Sequence, residues 1–117
     1  MGFDLNGIDA KNNDGDYFRN NVWWWRGLWA FCKHTTPELT DDDFVKGQFN
    51  DGHVIDGIKH EKLIEKLKFA LSDVDSKKNK EFVKNWWVNN NDNYPFNWDN
   101  VKEFLKFIEN NRGFEIC

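Results

Sequence analysis

Apolar residues recur along this chain at two different periods, and the changes of period mark its elements. Residues 2–10 place Phe3, Leu5 and then Ile8 against polar neighbours, the alternation of a short strand. Asn13-Asp14-Gly15 follows as turn chemistry, because Asn and Gly tolerate positive φ. Residues 17–20 then return as a second strand, which predicts an N-terminal hairpin. Asn20 or Asn21 is a suitable N-cap for a helix running from about Val22 to Lys33. At about 100° per residue, Trp24, Leu28 and Phe31 share one flank of that helix, and Trp25, Trp29 and Cys32 share the next. With Val22 they form a broad apolar arc. Trp23 falls outside it, on the side of Arg26, Ala30 and Lys33.

Two helix-start signals come next, Thr36 before Pro37 and Thr40 before Asp41-Asp42-Asp43, and they predict a short helix over about Thr40 to Phe49. Residues 49–57 read as a turn or loop. Leu63, Ile64, Leu67, Ala70 and Leu71 then recur at helical spacing, with Lys and Glu on the opposite face. Phe82, Val83, Trp86 and Trp87 mark a further amphipathic helix over about 76–88. Residues 89–95 are a polar loop, where Pro95 and the Asn run stop continuation. A last helix from about Asn100 to Asn110 carries Val101, Phe104, Leu105 and Ile108 on one stripe, with Gly113 as a C-cap beyond it. The tail from Gly113 repeats the apolar-polar-apolar pattern of the opening residues, so Gly2–Leu5 and Gly113–Ile116 are expected to pair as a small sheet. No repeat or linker divides the chain. The pattern predicts one domain over 1–117, a helix-dominated α+β fold of about four helices packed with a sheet made by the hairpin and the tail.

Composition sharpens the picture at one point. Aromatic residues make up 17% of a chain whose mean hydropathy is only −0.82, so the apolar volume sits in Trp and Phe on a polar background. The chain holds 16 Asn and 13 Lys against 3 Arg, an excess that codon bias in an AT-rich genome explains. Against that bias an Arg carries more information than a Lys. A net charge of −4 and a pI near 5.3 argue against general nucleic-acid binding, which needs a basic face. No apolar run approaches the roughly 18 residues of a membrane span, and no signal-peptide pattern opens the chain. Met1-Gly2 lacks the Ser or Thr at position six that myristoylation wants, having Asn6 instead. Cys32 and Cys117 suit reduced thiols of the cytoplasm better than a disulfide framework. The oligomeric state stays open, a homo-oligomer included.

Most chemical constellations have a structural explanation. Asp41 to Asp43 suit the first turn of a helix, and Asp51, His53 and Asp56 around Gly52 lack the ligand spacing and closing Glu of a calcium loop. Cys32 and His34 have no second ligand pair at zinc spacing, and His60 sits beside an apolar stripe as a boundary histidine. Nucleophile elbow, phosphate loop and zinc-protease motifs are absent, so no catalytic residue, metal or cofactor is expected. Trp23 with Arg26 differs. An exposed Trp one turn from an Arg offers a π surface beside a fixed cation, which suits an aromatic anion such as a nucleotide. Arg19 adds a second phosphate donor, Asn20 and Asn21 add polar groups before the helix, and Asn50 and Asp51 contribute from a facing loop. The competing structural reading packs Trp23 under a loop and pairs Arg26 with a carboxylate.

Joined together, residues 17–29 and 94–117 resemble a family of small, largely phage-encoded proteins. These open with Met-Gly-x-Asp, carry Tyr-Phe-Arg-Asn-Asn-x-Trp-Trp-Trp-Arg-Pro-Leu-Trp and an Asn-Asp-Gly loop, and end in Gly-Gly-Phe-x-Ile-Cys. Gly2, Asp4, Tyr17 to Trp29, Asn50 to Gly52, Tyr94 to Phe96 and Gly113 to Cys117 match. Gly27 stands where the family has Pro, which is expected to loosen the first turns of the helix, and Arg112 replaces a Gly. The resemblance implies no enzymatic activity. It places the protein in an infected host's cytoplasm, and by analogy suggests a counter-defence role in sequestering a nucleotide immune signal. The alternatives are an inhibitor that masks a host protein, and an enzyme with a dispersed Asp/His site.

Overall fold

The alternation and the helical periods resolve, in a computed structural model, into four strands and five α-helices; residues 2–90 and 94–117 are described. In chain order these are β1 (Gly2–Ile8), β2 (Tyr17–Asn21), α1 (Val22–Thr35), α2 (Asp41–Lys46), β3 (His53–Asp56), α3 (Gly57–Leu71), α4 (Lys77–Asn90), α5 (Trp98–Glu109) and β4 (Gly113–Ile116). A 3-10 turn at Asn13–Gly15 joins β1 to β2, with the Asn12 side chain accepting from the amides of Asp14 and Gly15. The strands form one antiparallel sheet in the order β2-β1-β4-β3. This is the helix-dominated α+β fold that the pattern predicts, with five helices where about four were expected; the short α2 falls within the predicted Thr40–Phe49 segment and ends earlier, at Lys46.

Side-chain alternation assigns the two faces of the sheet. Phe3, Leu5, Ile55, Phe114 and Ile116 are buried on one face, against α1, α3 and α5, while Tyr17, Asp4, Arg19 and Asn6 line the other. Helix α1 supplies Trp25, Leu28, Trp29, Phe31 and Cys32 to the core, and α5 supplies Val101, Phe104, Phe107 and Ile108. Trp25 and Trp29 stack with centroids 5.3 Å apart, and each indole N–H is satisfied: Trp25 Nε1 donates to the Gly47 carbonyl at 2.8 Å and Trp29 Nε1 to that of Phe44 at 3.1 Å. Helix α4 adds the partly buried Phe82, Val83 and Trp86 at the margin.

Several expectations need correction, Gly113 among them: it opens β4, and Asn110 is the C-cap of α5. Residues 53–56, expected within a loop, form strand β3, because β4 offers an open edge that no local pattern reveals. The tail pairs with β1 at a different register: Leu5 faces Ile116 and Gly7 faces Phe114. Residues opposite each other share a face, so pairing Gly2–Leu5 with the tail would set Phe3 against Glu115 and mix apolar with charged. The observed register matches like with like, and the missing Cβ of Gly7 leaves room for the Gly15 carbonyl, which a methyl would meet at 1.7 Å. Trp24 is only half-buried and lies outside the core, so the buried arc of α1 is narrower than its sequence suggests. Finally, His60 is buried rather than at a boundary, its Nε2 2.8 Å from Asn111 Oδ1.

Candidate functional site

The N-terminus of α1 is fixed by Asn21, whose side-chain oxygen accepts from the Trp24 amide at 3.0 Å. Trp23 follows in the first turn. It is 51% exposed and stacks on Tyr94, with centroids 5.2 Å apart and planes 29° from parallel. One turn along, the Arg26 guanidinium carbon lies 5.4 Å from the centroid of the same Tyr94 ring. Tyr94 is held in place by its own carbonyl, which accepts from Trp86 Nε1 of α4 at 2.7 Å. Helix α1 runs unbroken through Gly27, so that residue does not loosen its first turns. Its missing Cβ has another use: a methyl there would come 2.7 Å from the Pro95 carbonyl oxygen and 3.2 Å from the Trp86 indole nitrogen. Gly27 thus lets the Tyr94–Phe96 segment lie against α1 and carry Tyr94 to Trp23.

Arg26 makes no ion pair among the described residues, and none of them accepts from its buried Nε. A buried guanidinium N–H without an acceptor is costly and marks a place where an acceptor from outside would be stabilising. The competing structural reading, in which a carboxylate neutralises Arg26, has no counterpart among the described residues.

The other residues of the sequence-derived set are occupied elsewhere. Arg19 lies across the outer face of the sheet, its Nη1 2.6 Å from Asp4 Oδ1, and the Tyr17 hydroxyl donates to the same carboxylate oxygen. The Tyr17 hydroxyl and then Arg19 hold the Asp4 carboxyl below its usual range, and Asp4 raises Arg19 in turn. Asn20 exchanges two amide hydrogen bonds with Asn100 of α5, at 3.0 and 2.9 Å. Asn21 is spent as the cap. Asn50 Nδ2 reaches the Gly2 carbonyl at 3.4 Å, and Asp51 is exposed in the loop before β3. The structure therefore brings together Trp23 and Arg26 and adds Tyr94, which no sequence periodicity singles out; its membership in the matched Tyr94–Phe96 motif was the only hint.

A second polar cluster joins α2, β3 and α3. The buried Asp43 carboxylate accepts from Lys59 Nζ at 2.7 Å and the Thr40 amide at 2.9 Å, and lies 2.9 Å from His53 Nε2. Burial pushes this carboxyl up, but Lys59, the Thr40 amide and His53 outweigh it and hold it far below the usual range. Thr40 and Asp43 complete a capping box at the start of α2. Every oxygen of Asp43 is thus committed to holding three elements together.

The thiols are chemically quiet. Burial pushes Cys32 well above the ordinary thiol range, and Glu115, which accepts from the Cys117 thiol at 2.9 Å, raises Cys117 as well. Among the described residues no group of three or more His, Cys, Asp or Glu is placed to hold a metal ion. No helix of the described residues is long and apolar enough to cross a membrane. Two cavities, of about 360 and 300 Å³, flank the junction of α1 with α4, and neither includes Trp23, Arg26 or Tyr94.

This arrangement defines a class in physical terms: a small α+β protein that sets an aromatic pair, its Trp half-exposed, beside a guanidinium uncommitted among the described residues. No protein-family model, no curated protein and no solved structure matches the chain.

Proposed function

We propose that this is a non-enzymatic binding protein that engages an acidic partner surface through Trp23, Tyr94 and Arg26, acting as an inhibitor that masks a host protein. One observation carries the reading: the Arg26 guanidinium carbon lies 5.4 Å from the centroid of the Tyr94 ring, beside a half-exposed Trp23, with donors that no described residue accepts. Trp, Tyr and Arg are the residues that most often dominate protein interfaces, where a buried aromatic anchor sits beside a paired charge. Trp23, Arg26 and Tyr94 line neither of the two cavities, which favours a protein over a small ligand, since small-molecule sites enclose most of their ligand's surface. The resemblance to phage-encoded proteins makes a factor of the infected cell the expected target. Affinity capture from bacterial lysate tests this with three baits: the parent chain, Trp23→Ala and Arg26→Lys. The reading expects one stoichiometric partner on the parent and none on either folded variant. Equal recovery on all three would sink it.

A second reading keeps Trp23 as a stacking platform for a nucleotide-like anion, sequestered as a phage counter-defence. Its support is the exposure of Trp23 together with the free donors of Arg26, a pairing that suits a base and a phosphate. Native mass spectrometry with cyclic di- and trinucleotides separates the two. A complex that releases intact nucleotide on denaturation favours sequestration, and degraded nucleotide favours the enzyme with a dispersed site.

A further inference from the structure

The larger cavity lies where the C-terminal end of α1, the C-terminal half of α3 and the start of α4 meet. Its volume is about 360 Å³. An apolar cavity of about 150 Å³ accepts one benzene ring, so this space suits a molecule of two rings and a head group, and is small for a peptide. Its wall combines three kinds of surface. Phe69 stands on it with 80% of its surface exposed, an apolar ring left in water, with Pro37 and Ala70 as further apolar wall. Ser72 and Ser76 supply hydroxyls, and Ser76 Oγ already accepts from the Asn79 amide at 3.2 Å, which leaves its proton to donate.

The charges point one way. Lys66 and Lys78 face Asp73 as the cationic and anionic side chains of the wall. On α3 itself Lys59, Lys62 and Lys68 each pair with a carboxylate, whereas Lys66 has no ion-pair partner among the described residues, and neither has Lys78. His34, also in the wall, is held below its usual pKa by burial and then by the nearby Lys78 ammonium, so it is neutral near pH 7. The wall thus carries two unmatched ammonium groups against one carboxylate.

We propose that this cavity binds a small molecule joining an anionic head to a flat apolar body, with Lys66 and Lys78 meeting the anion and Phe69 covering the apolar part. The site is separate from the Trp23 face and stands whether or not that face binds a partner.

The probe is dimethylaminonaphthalene sulfonate, which has two fused rings and one sulfonate, with neutral dimethylaminonaphthalene as its uncharged counterpart. Titration into the whole chain should give saturable one-to-one fluorescence enhancement. Amide shift changes should cluster at Lys66, Phe69, Ser76 and Asn79. Replacing both Lys66 and Lys78 by Ala should weaken sulfonate binding roughly tenfold, the worth of one charge-assisted hydrogen bond, and leave the neutral compound unaffected. In the parent chain the bound sulfonate should raise the pKa of His34, read from its imidazole proton shifts, and the neutral compound should not. This second readout needs no variant. Unsaturable binding, shifts that map to Trp23 and Tyr94, equal weakening of both compounds, or a His34 titration indifferent to the sulfonate would each overturn the proposal.

Discussion

Removing the Phe114 side chain is the most direct test of how the sheet is built. Phe114 is fully buried in β4, with ring centroids 5.6 Å from Phe104, 6.1 Å from Phe107 and 6.5 Å from Trp29. It thereby joins α5 to α1 through the middle of the sheet. Truncating a buried Phe to Ala costs about 3–5 kcal/mol, a large share of the roughly 5–15 kcal/mol that holds a domain together. Since β4 lies between β1 and β3, deleting Gly113–Cys117 should do more. It removes Ile116 as well, leaves β3 without a neighbour, and strips pairing from the inner edge of β1, including the two-way bonds of Cys117 with Asp4 at 2.8 and 3.0 Å. The truncated chain should not fold. Urea denaturation followed by intrinsic Trp fluorescence, to which the buried Trp25 and Trp29 contribute, measures both. With a slope of about 1–3 kcal/mol per molar urea, Phe114→Ala should lower the midpoint by at least about 1 M. A Phe114→Ala unfolding free energy within about 0.5 kcal/mol of the parent, or a truncation with a cooperative transition, would refute the central position of β4.

The other predictions concern α1 and the buried carboxylate. Trp29→Ala should cost about 3–5 kcal/mol because its ring is buried and its N–H bonded, whereas Trp23→Ala should cost about 1 kcal/mol or less; equal losses in thermal denaturation would place Trp23 in the core. Gly27→Ala offers a test of sign: helix propensity alone favours Ala by about 1 kcal/mol, but the new methyl meets the Pro95 carbonyl, so the melting temperature should fall and not rise. Asp43→Asn should destabilise by about 1–3 kcal/mol, since Lys59 and His53 lose their anion. Because the folded-state pKa of Asp43 is depressed, its contribution is complete above the unfolded value of about 3.9 and is lost as pH falls through the folded one. The gap between parent and Asp43→Asn should therefore be flat near neutrality and close only in strong acid; a gap that closes between about pH 5 and 7 would contradict the depressed value.

Local signals made much of this fold readable. The hairpin, the Asn21 cap and the amphipathic stripes of α3, α4 and α5 follow from turn chemistry and periodicity, which act within a few residues. Strand β3 escaped because Val54 and Ile55 are adjacent apolar residues that break alternation, and only Ile55 is buried. What makes His53–Asp56 a strand is the edge of β4, supplied from the far end of the chain. Tyr94 escaped for the same reason: it sits in an irregular segment, and Trp86, Pro95 and Gly27 place it by contacts that no spacing encodes. Asp43 read as an ordinary acidic first turn, and so it is. Its ties to His53 and Lys59 are tertiary additions.

The scarcity of Arg was the clue that drew attention to residues 19–29, and the structure separates what that clue contains. In a chain that uses Lys freely, Arg is retained where a planar group does something an ammonium cannot. Arg19 meets that description without any ligand. Its guanidinium lies over Gly2, where a Cβ would come 2.8 Å from the guanidinium carbon, and it bonds Asp4 on the outer face of the sheet. The Arg26 guanidinium carbon lies 5.4 Å from the centroid of the Tyr94 ring, within cation–π range. So each Arg has a structural contact of its own, and scarcity alone does not distinguish a binding Arg from a structural one. The distinction rests on how the donors are used. Those of Arg19 go to a carboxylate paired with it across β1 and β2, whereas Nε of Arg26 is buried with no acceptor among the described residues. An unmet donor beside a half-exposed Trp, and not the count of Arg, is what supports a partner at this face.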